Sequence, residues 1–345
     1  MNRILMEDAE NILKQDIDWS KLDGAKVLVT GAGGMLGSYI TRTLLLLSER
    51  EDRNIDVYAL VRNPHKLPDD IKGKVTVIQQ SVSEPVDTDM KFDYIVHAAS
   101  PASPLIMKDD PVGTIAANTL GAFYTLELAR KSNARGYIFI SSREIYGQPY
   151  EGQKEFTEDT YGFVDPLSPR SCYPEGKKAA ETMCASFAQQ YGLNIRIARL
   201  AHTYGPGMSI DDGRVQADFL RDVINSRDIV LKSEGKPVRT YTYVGDAVSA
   251  IFRILLDSED MVYNISSPES TVSIRQLAET LADAYPERNL KLVFDIPESE
   301  GNSGTAPFTL GILNSDKLRS IGWAPQYTLR AGLMRTVEYL ESDSI

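Results

Sequence analysis

Cysteine is almost missing from this chain, with only Cys172 and Cys184 in 345 residues. Two thiols cannot build a disulfide framework. They fall in one helical stretch, too far apart along it to bridge, so reduced thiols and a cytoplasmic location are expected. Positive charge is also short: Lys and Arg number 37 against 48 Asp and Glu, for a net charge of -11. That balance argues against nucleic acid or an anionic membrane surface as a partner. It leaves room for an anionic small ligand, because a few placed arginines bind phosphates inside an acidic protein. Long apolar runs are missing too. Leu44 to Leu47 is far short of a membrane span and reads as the core side of a helix. The N-terminus carries Glu7, Asp8 and Glu10 and has no apolar core of an export signal. No repeat or low-complexity segment appears, and no set of metal ligands is assigned. What is present is 42% hydrophobic residues, enough for a large core and two lobes.

Residues 1–24 read as a helical extension with Ile4, Leu5, Ile12 and Leu13 on one side, followed by a turn. Lys26 to Thr30 is a buried strand that runs into Gly31-Ala32-Gly33-Gly34-Met35-Leu36-Gly37 and an apolar helix. Glycines between a strand and a helix let backbone amides approach a pyrophosphate at the helix N-terminus, whereas glycines alone only mark turns. The next strand, Asp56 to Val61, ends in Arg62, where an acidic residue would hold the ribose hydroxyls of NAD. Arginine pairs well with a 2′-phosphate, which tilts the cofactor expectation from NAD towards NADP; a solvated arginine stacked on adenine is the alternative. A strand at 75–79 follows. Tyr94 to Val96 is a further strand opening on His97-Ala98-Ala99-Ser100, whose small residues let backbone pass close to a cofactor. His97 reads as a packed core residue.

A helix over 111–132 and a strand over 137–140 deliver Ser141-Ser142-Arg143-Glu144 to a strand end, where ligands of parallel sheets sit. After a polar loop at 148–170, Tyr173 and Lys177 lie four apart on a helix running to about Tyr191, and so share a face. Tyrosine is a poor acid or base at neutral pH, with a reference pKa of about 10, and a neighbouring ammonium lowers it. With Ser142 sharing the proton, the trio suits proton removal from an alcohol while a hydride leaves its carbon. The doubly wound α/β expectation assigns residues 25–204 and 241–260 to a dinucleotide-binding domain. Residues 205–240 and 261–345 are expected to form a smaller lobe of loops, short strands and two helices over a substrate.

These pieces in this order resemble the extended short-chain dehydrogenase/reductase family of nucleotide-sugar epimerases, dehydratases and decarboxylases. The likeness covers residues 25–335. Within it, His97-Ala98-Ala99-Ser100-Pro101-Ala102-Ser103-Pro104, Cys172-Tyr173-Pro174-Glu175-Gly176-Lys177 and Asp212-Gly213-Arg214-Val215 are similar to the UDP-glucuronate decarboxylase branch. The resemblance implies that Tyr173 is the base, that Lys177 holds the nicotinamide ribose and that Ser142 bonds the sugar O4. It also implies that Arg214 and Arg239 grip a nucleotide diphosphate, and that the helices near 112–132 and 171–191 pair in a homodimer.

Three departures bear on the reaction. Arg143 stands where the dehydratases have an aspartic acid, and arginine cannot lend a proton to a departing hydroxyl. Glu144 is retained. The stretch Pro307 to Asn314 lacks the arginine that the decarboxylases place before a Pro-Asp-Ile run. His202 replaces the usual asparagine, where it is expected to touch substrate. Four readings stay open: a C4 epimerase, which leads; a decarboxylase; an NADPH-dependent 4-keto-sugar reductase; and a non-catalytic cofactor-binding protein.

Overall fold

The structure, a computed structural model, describes residues 1–296 and 309–342. The chain opens with α1 (Arg3–Leu13), capped by the Asn2 side chain, which accepts from the Ile4 amide at 2.9 Å. Then come β1 (Lys26–Thr30), α2 (Met35–Glu51), β2 (Asp56–Val61), β3 (Thr76–Gln79) and β4 (Tyr94–His97). Next are α3 (Pro104–Asp109), α4 (Pro111–Ser132), β5 (Gly136–Ser142), α5 (Cys172–Tyr191) and β6 (Ile195–Leu200). The chain leaves the main layer through β7 (His202–Tyr204), α6 (Val215–Ile224), β8 (Ile229–Leu231) and β9 (Val238–Tyr243). It returns in α7 (Val244–Asp257) and β10 (Val262–Ile265). It ends with β11 (Thr271–Ser273), α8 (Ile274–Ala284), β12 (Leu292–Phe294), α9 (Asp316–Ser320) and α10 (Leu329–Ser342).

Among the described residues, seven parallel strands form one sheet in the order β10-β6-β5-β4-β1-β2-β3. β1 pairs with β2 on one side and β4 on the other, so the winding reverses there and opens a crevice at the carboxyl strand ends. Side chains alternate across the sheet. Val27 and Val29 of β1, with Ile138 and Ile140 of β5, pack beneath Ile40 of α2 and Ile251 of α7. Leu28, Tyr137 and Phe139 face the other way, beneath Leu126 of α4 and Ala180 of α5. Local chemistry sets the helix ends. The Asp110 side chain accepts from the Gly113 amide at 2.8 Å to start α4, with Pro111 in its first turn, and Gly192 closes α5 in a left-handed conformation.

Several elements differ from expectation. Residues 1–24 are no appendage: Ile4, Leu5, Ile12, Trp19 and Leu22 are all buried, and α1 lies on α2 and α7. Arg239 sits in strand β9, because the Thr240-Tyr241-Thr242-Tyr243 run pairs in a second sheet ordered β11-β9-β7. Tyr241 to Tyr243 therefore stand outside the main sheet, whereas β10, placed by the expectation in the lobe, pairs with β6 as its edge. The lobe also contains α6, where loops and short strands were expected, and three helices after β11 where two were.

Candidate active site

The loop after β1 leaves little room for side chains. A Cβ on Gly31, whose φ is +71°, would lie 2.8 Å from the Ala99 Cα, and one on Gly37 would lie 2.2 Å from the Gly31 carbonyl oxygen. Ala99 is held there by its amide, which donates to Thr30 Oγ1 at 3.1 Å. Gly34 caps α2 without a side-chain hydrogen bond, so the first-turn amides after it, at Met35 and Leu36, have no acceptor within the helix. A cradle of backbone donors without side chains fits a dinucleotide pyrophosphate. Ala98 and Ser100 flank the loop, and Ser100 Oγ donates to Asn118 Oδ1 at 2.8 Å. Arg62 follows β2 with its side chain exposed. His97 is a core residue, as expected: it is 1% exposed, it bonds Thr30 Oγ1 through Nδ1 at 2.9 Å, and burial pushes its pKa down to about 3.

Ser142, Tyr173 and Lys177 converge at the carboxyl end of β5. The Ser142 hydroxyl lies beside the Tyr173 phenol, whose charged form it favours, and accepts from the Glu144 amide at 3.2 Å. Lys177 is 2% exposed, and its Nζ donates to the Ile140 carbonyl at 2.6 Å, 5.8 Å from the centre of the Tyr173 ring. The expected lowering of the phenol pKa is reversed. Burial first, and Glu144 second, push Tyr173 up; the Ser142 hydrogen bond, Arg214 and Arg170 work against them. The lysine moves the other way, to about 7, because burial disfavours its charge.

The wall opposite is rich in cations. Glu144 Oε1 accepts from Arg170 Nη2 at 3.0 Å, with both side chains 18% exposed. Arg143 is buried and donates to the Leu310 carbonyl at 2.9 Å; burial, helped by Arg239 and Arg170 and opposed by Glu144, brings it down to about 10. Arg239 Nη1 reaches the Val238 carbonyl at 3.0 Å and the Thr309 carbonyl at 3.3 Å. Arg214 precedes α6, bonding the Ala102 carbonyl at 2.5 Å and Asp212 at 3.2 Å. His202 lies among these cations. Burial and the charges of Arg143, Arg239 and Arg214 hold its imidazole well below its usual range, hence neutral. The four substrate-side residues expected from sequence (Arg143, His202, Arg214 and Arg239) therefore gather in one place. Of the stretch compared with the decarboxylase motif, Pro307 and Phe308 lie outside the described residues; Thr309 to Asn314 run beside Arg143 and Arg239.

Sequence reasoning missed Arg170, Glu181 and Arg199. Glu181 stands four residues after Lys177, so helical spacing alone could have flagged it as a neighbour of the trio; Arg170 lies in a short turn ahead of α5, where helical spacing gives no signal.

Known proteins are similar to this chain in sequence and fold. Residues 27–266 match the model of the NAD dependent epimerase/dehydratase family. UDP-glucuronic acid decarboxylase 6 of Arabidopsis thaliana is 33% identical over 309 residues, covering 89% of this chain and 86% of its own. UDP-glucuronic acid decarboxylase 1 of Xenopus tropicalis is 30% identical over 94% of this chain and 74% of its own. Among solved structures, UDP-glucose 4-epimerase of Thermotoga maritima with UDP-glucose superposes with a TM-score of 0.78 at 24% identity, over 93% of this chain and all of that one. UDP-glucuronic acid 4-epimerase of Bacillus cereus, in complex with UDP-glucuronic acid and NAD, gives 0.74 at 20% identity, over 92% and 99%. With the glycine cradle, the Ser142–Tyr173–Lys177 trio and a family match across most of its length, this chain belongs to the NAD-dependent epimerase/dehydratase family and is an enzyme of the extended short-chain dehydrogenase/reductase type.

Proposed function

We infer that this enzyme oxidises a nucleotide-activated sugar at C4 and then reduces the same carbon from the other face, as a 4-epimerase. The observation that carries this reading is the placing of Ser142 and Tyr173 together at the end of β5, beside a cluster of arginines. Tyr173 takes the proton of the sugar hydroxyl, Ser142 orients that hydroxyl, and Arg214 and Arg239 hold the diphosphate, where paired guanidinium donors suit phosphate oxygens. Met35, Leu36 and the glycines Gly31, Gly34 and Gly37 hold the dinucleotide, with Ala98, Ala99 and Ser100 along its other edge and Lys177 at its nicotinamide ribose. A nicotinamide dinucleotide held there would supply the hydride acceptor and then the hydride donor. Dehydration is disfavoured because Arg143 has no proton to lend and is turned to the Leu310 carbonyl.

A second reading, decarboxylation, draws support from Arg170, which places a cation beside Glu144 and near Tyr173, and from the relatives at 30–33% identity. The discriminating experiment offers the purified protein a panel of nucleotide sugars, including UDP-glucuronate and 4-keto sugars, and follows products by mass spectrometry. An isomer of unchanged mass marks the epimerase, gas release from UDP-glucuronate the decarboxylase, and steady NADPH consumption that Glu144→Gln leaves intact the reductase. If no sugar of the panel is altered, the nucleotide-sugar reading fails.

For the cofactor, the exposed Arg62 at the end of β2 favours NADP. Arg62→Asp is expected to weaken NADP binding by far more than NAD binding in parallel titrations. Equal loss of both, or of neither, leaves Arg62 stacked or solvated. The homodimer is proposed on α4 and α5, where α4 exposes Val112 (75%) and Phe123 (41%), and a monomeric solution mass would sink it. No helix among the described residues is long and apolar enough to cross a membrane, and Cys172 and Cys184 are free and buried, which suits the cytoplasm.

A further inference from the structure

Three consecutive residues at the end of β5 are each tied to a different turn of α5. Ser142 lies beside Tyr173, the Ile140 carbonyl accepts from Lys177 Nζ at 2.6 Å, and Ser141 Oγ donates to Glu181 Oε1 at 2.5 Å. Tyr173, Lys177 and Glu181 recur at every fourth position and so form one stripe of the helix. Glu181 is enclosed, with its side chain 11% exposed. Arg199 of β6 grips it through Nη2 at 2.7 Å and Nε at 3.1 Å. Arg199 in turn donates to the Tyr146 hydroxyl and the Glu158 carbonyl, both at 2.9 Å. An enclosed carboxylate needs such partners, because leaving it unpaired is costly.

Lys177 is placed differently. Its hydrogen bond goes to a neutral carbonyl, and its charge lies over the Phe139 ring, 4.6 Å from the centre. The titratable groups that face it are His97 from β4 and Tyr173, Glu181 and Cys184 from α5; β5 contributes the ring and the carbonyl. Burial draws the lysine down to about 7, and Glu181 is the first of the groups holding it up. Glu181 is itself paired with Arg199, so the two together set how much negative field reaches the ammonium.

We propose that Glu181 is a positioning residue of this site: clamped by Ser141 and Arg199, it fixes the register of α5 on β5 and acts as the remote counter-charge of Lys177. Only its catalytic consequence rests on the hydride-transfer reading; the charge relation stands by itself.

Glu181→Gln keeps the shape and an acceptor for Ser141 but removes the charge and leaves Arg199 as an added cation. Both changes disfavour a protonated Lys177, so its titration midpoint falls, by roughly one pH unit. Arg199→Met does the opposite: Glu181 is left uncompensated, and the midpoint rises. The measurement is an NMR titration of the ligand-free protein carrying isotope-labelled lysine, with the Lys177 signal assigned by its loss in Lys177→Met and packing followed by thermal melting. Opposite movements in the two variants are the expected result. An unchanged midpoint in Glu181→Gln overturns the proposal even if that variant melts lower, because a purely structural residue would do only the latter. Should Glu181→Gln not fold, Arg199→Met decides alone, and a midpoint that stays or falls overturns the proposal. Failure of the hydride-transfer reading shows separately, as undiminished turnover in Tyr173→Phe.

Discussion

Tyr173→Phe is expected to lower turnover on the accepted nucleotide sugar by ~10²–10⁴-fold while melting and cofactor affinity stay near those of the parent. The ring keeps its packing against Met107, Cys172 and Ala102, and only the hydroxyl shared with Ser142 is lost. In the proposed reaction that hydroxyl carries the proton. Burial and Glu144 hold it protonated, so its release of a proton depends on the cations around it. Lys177→Met should cost at least as much, since it removes the nearest cation on the same helix face. Ser142→Ala should cost less, because Ser142 only shares the proton and orients the sugar. Single-turnover absorbance of the nicotinamide measures all three. A Tyr173→Phe enzyme that turns over at the parent rate would falsify hydride transfer at this site, whatever cofactor it binds.

The largest expected effect on stability lies far from the chemistry, at Asp8. This residue of α1 is fully buried and accepts from three tyrosines: Tyr39 at 2.9 Å, Tyr243 at 2.6 Å and Tyr327 at 2.9 Å. Arg335 of α10 adds Nη2 at 2.7 Å and Nε at 3.1 Å. One carboxylate thus ties α1, α2, β9 and α10 together. Removing it takes the acceptor from three hydroxyls and one carboxylate from Arg335, which keeps Glu7 and the Ile4 carbonyl, and breaking such a buried pair from one side costs about 3–5 kcal/mol. Asp8→Ala should therefore shift the urea midpoint strongly. Adding Arg335→Met should recover part of the loss, because the second change removes a cation left with only part of its carboxylate pairing. If Asp8→Ala costs less than about 1 kcal/mol, a value typical of surface pairs, α1 is peripheral after all.

The main sheet was legible because its signals are local. Lys26 to Thr30 and Tyr137 to Ile140 are buried runs that fit only a parallel strand, and Gly31 and Gly37 sit where a Cβ would collide with backbone. Tyr173 and Lys177 were readable for the same reason: four residues of helix place them on one face without help from the rest of the fold. The register of Ser142 against Tyr173 follows from those two elements meeting at a strand end. The sequence by itself therefore determined the dinucleotide cradle, the reactive trio and the arginine-bearing segments.

Only the tertiary structure decided what those groups feel. Whether Lys177 acidifies Tyr173 depends on burial and on Glu144, charges and solvent that are distant in sequence. The partnership of Arg170 with Glu144, the clamp of Arg199 on Glu181 and the gathering of Arg143, Arg214 and Arg239 around His202 each join segments from separate elements. The same holds for β9, which reads locally as a turn after Pro237 and becomes a strand because β7 and β11 offer it partners. It holds most for Asp8, a charged residue in a polar-looking N-terminal stretch. Its burial is stable only because three hydroxyls and a guanidinium, brought in from up to 327 positions away, replace the water it loses.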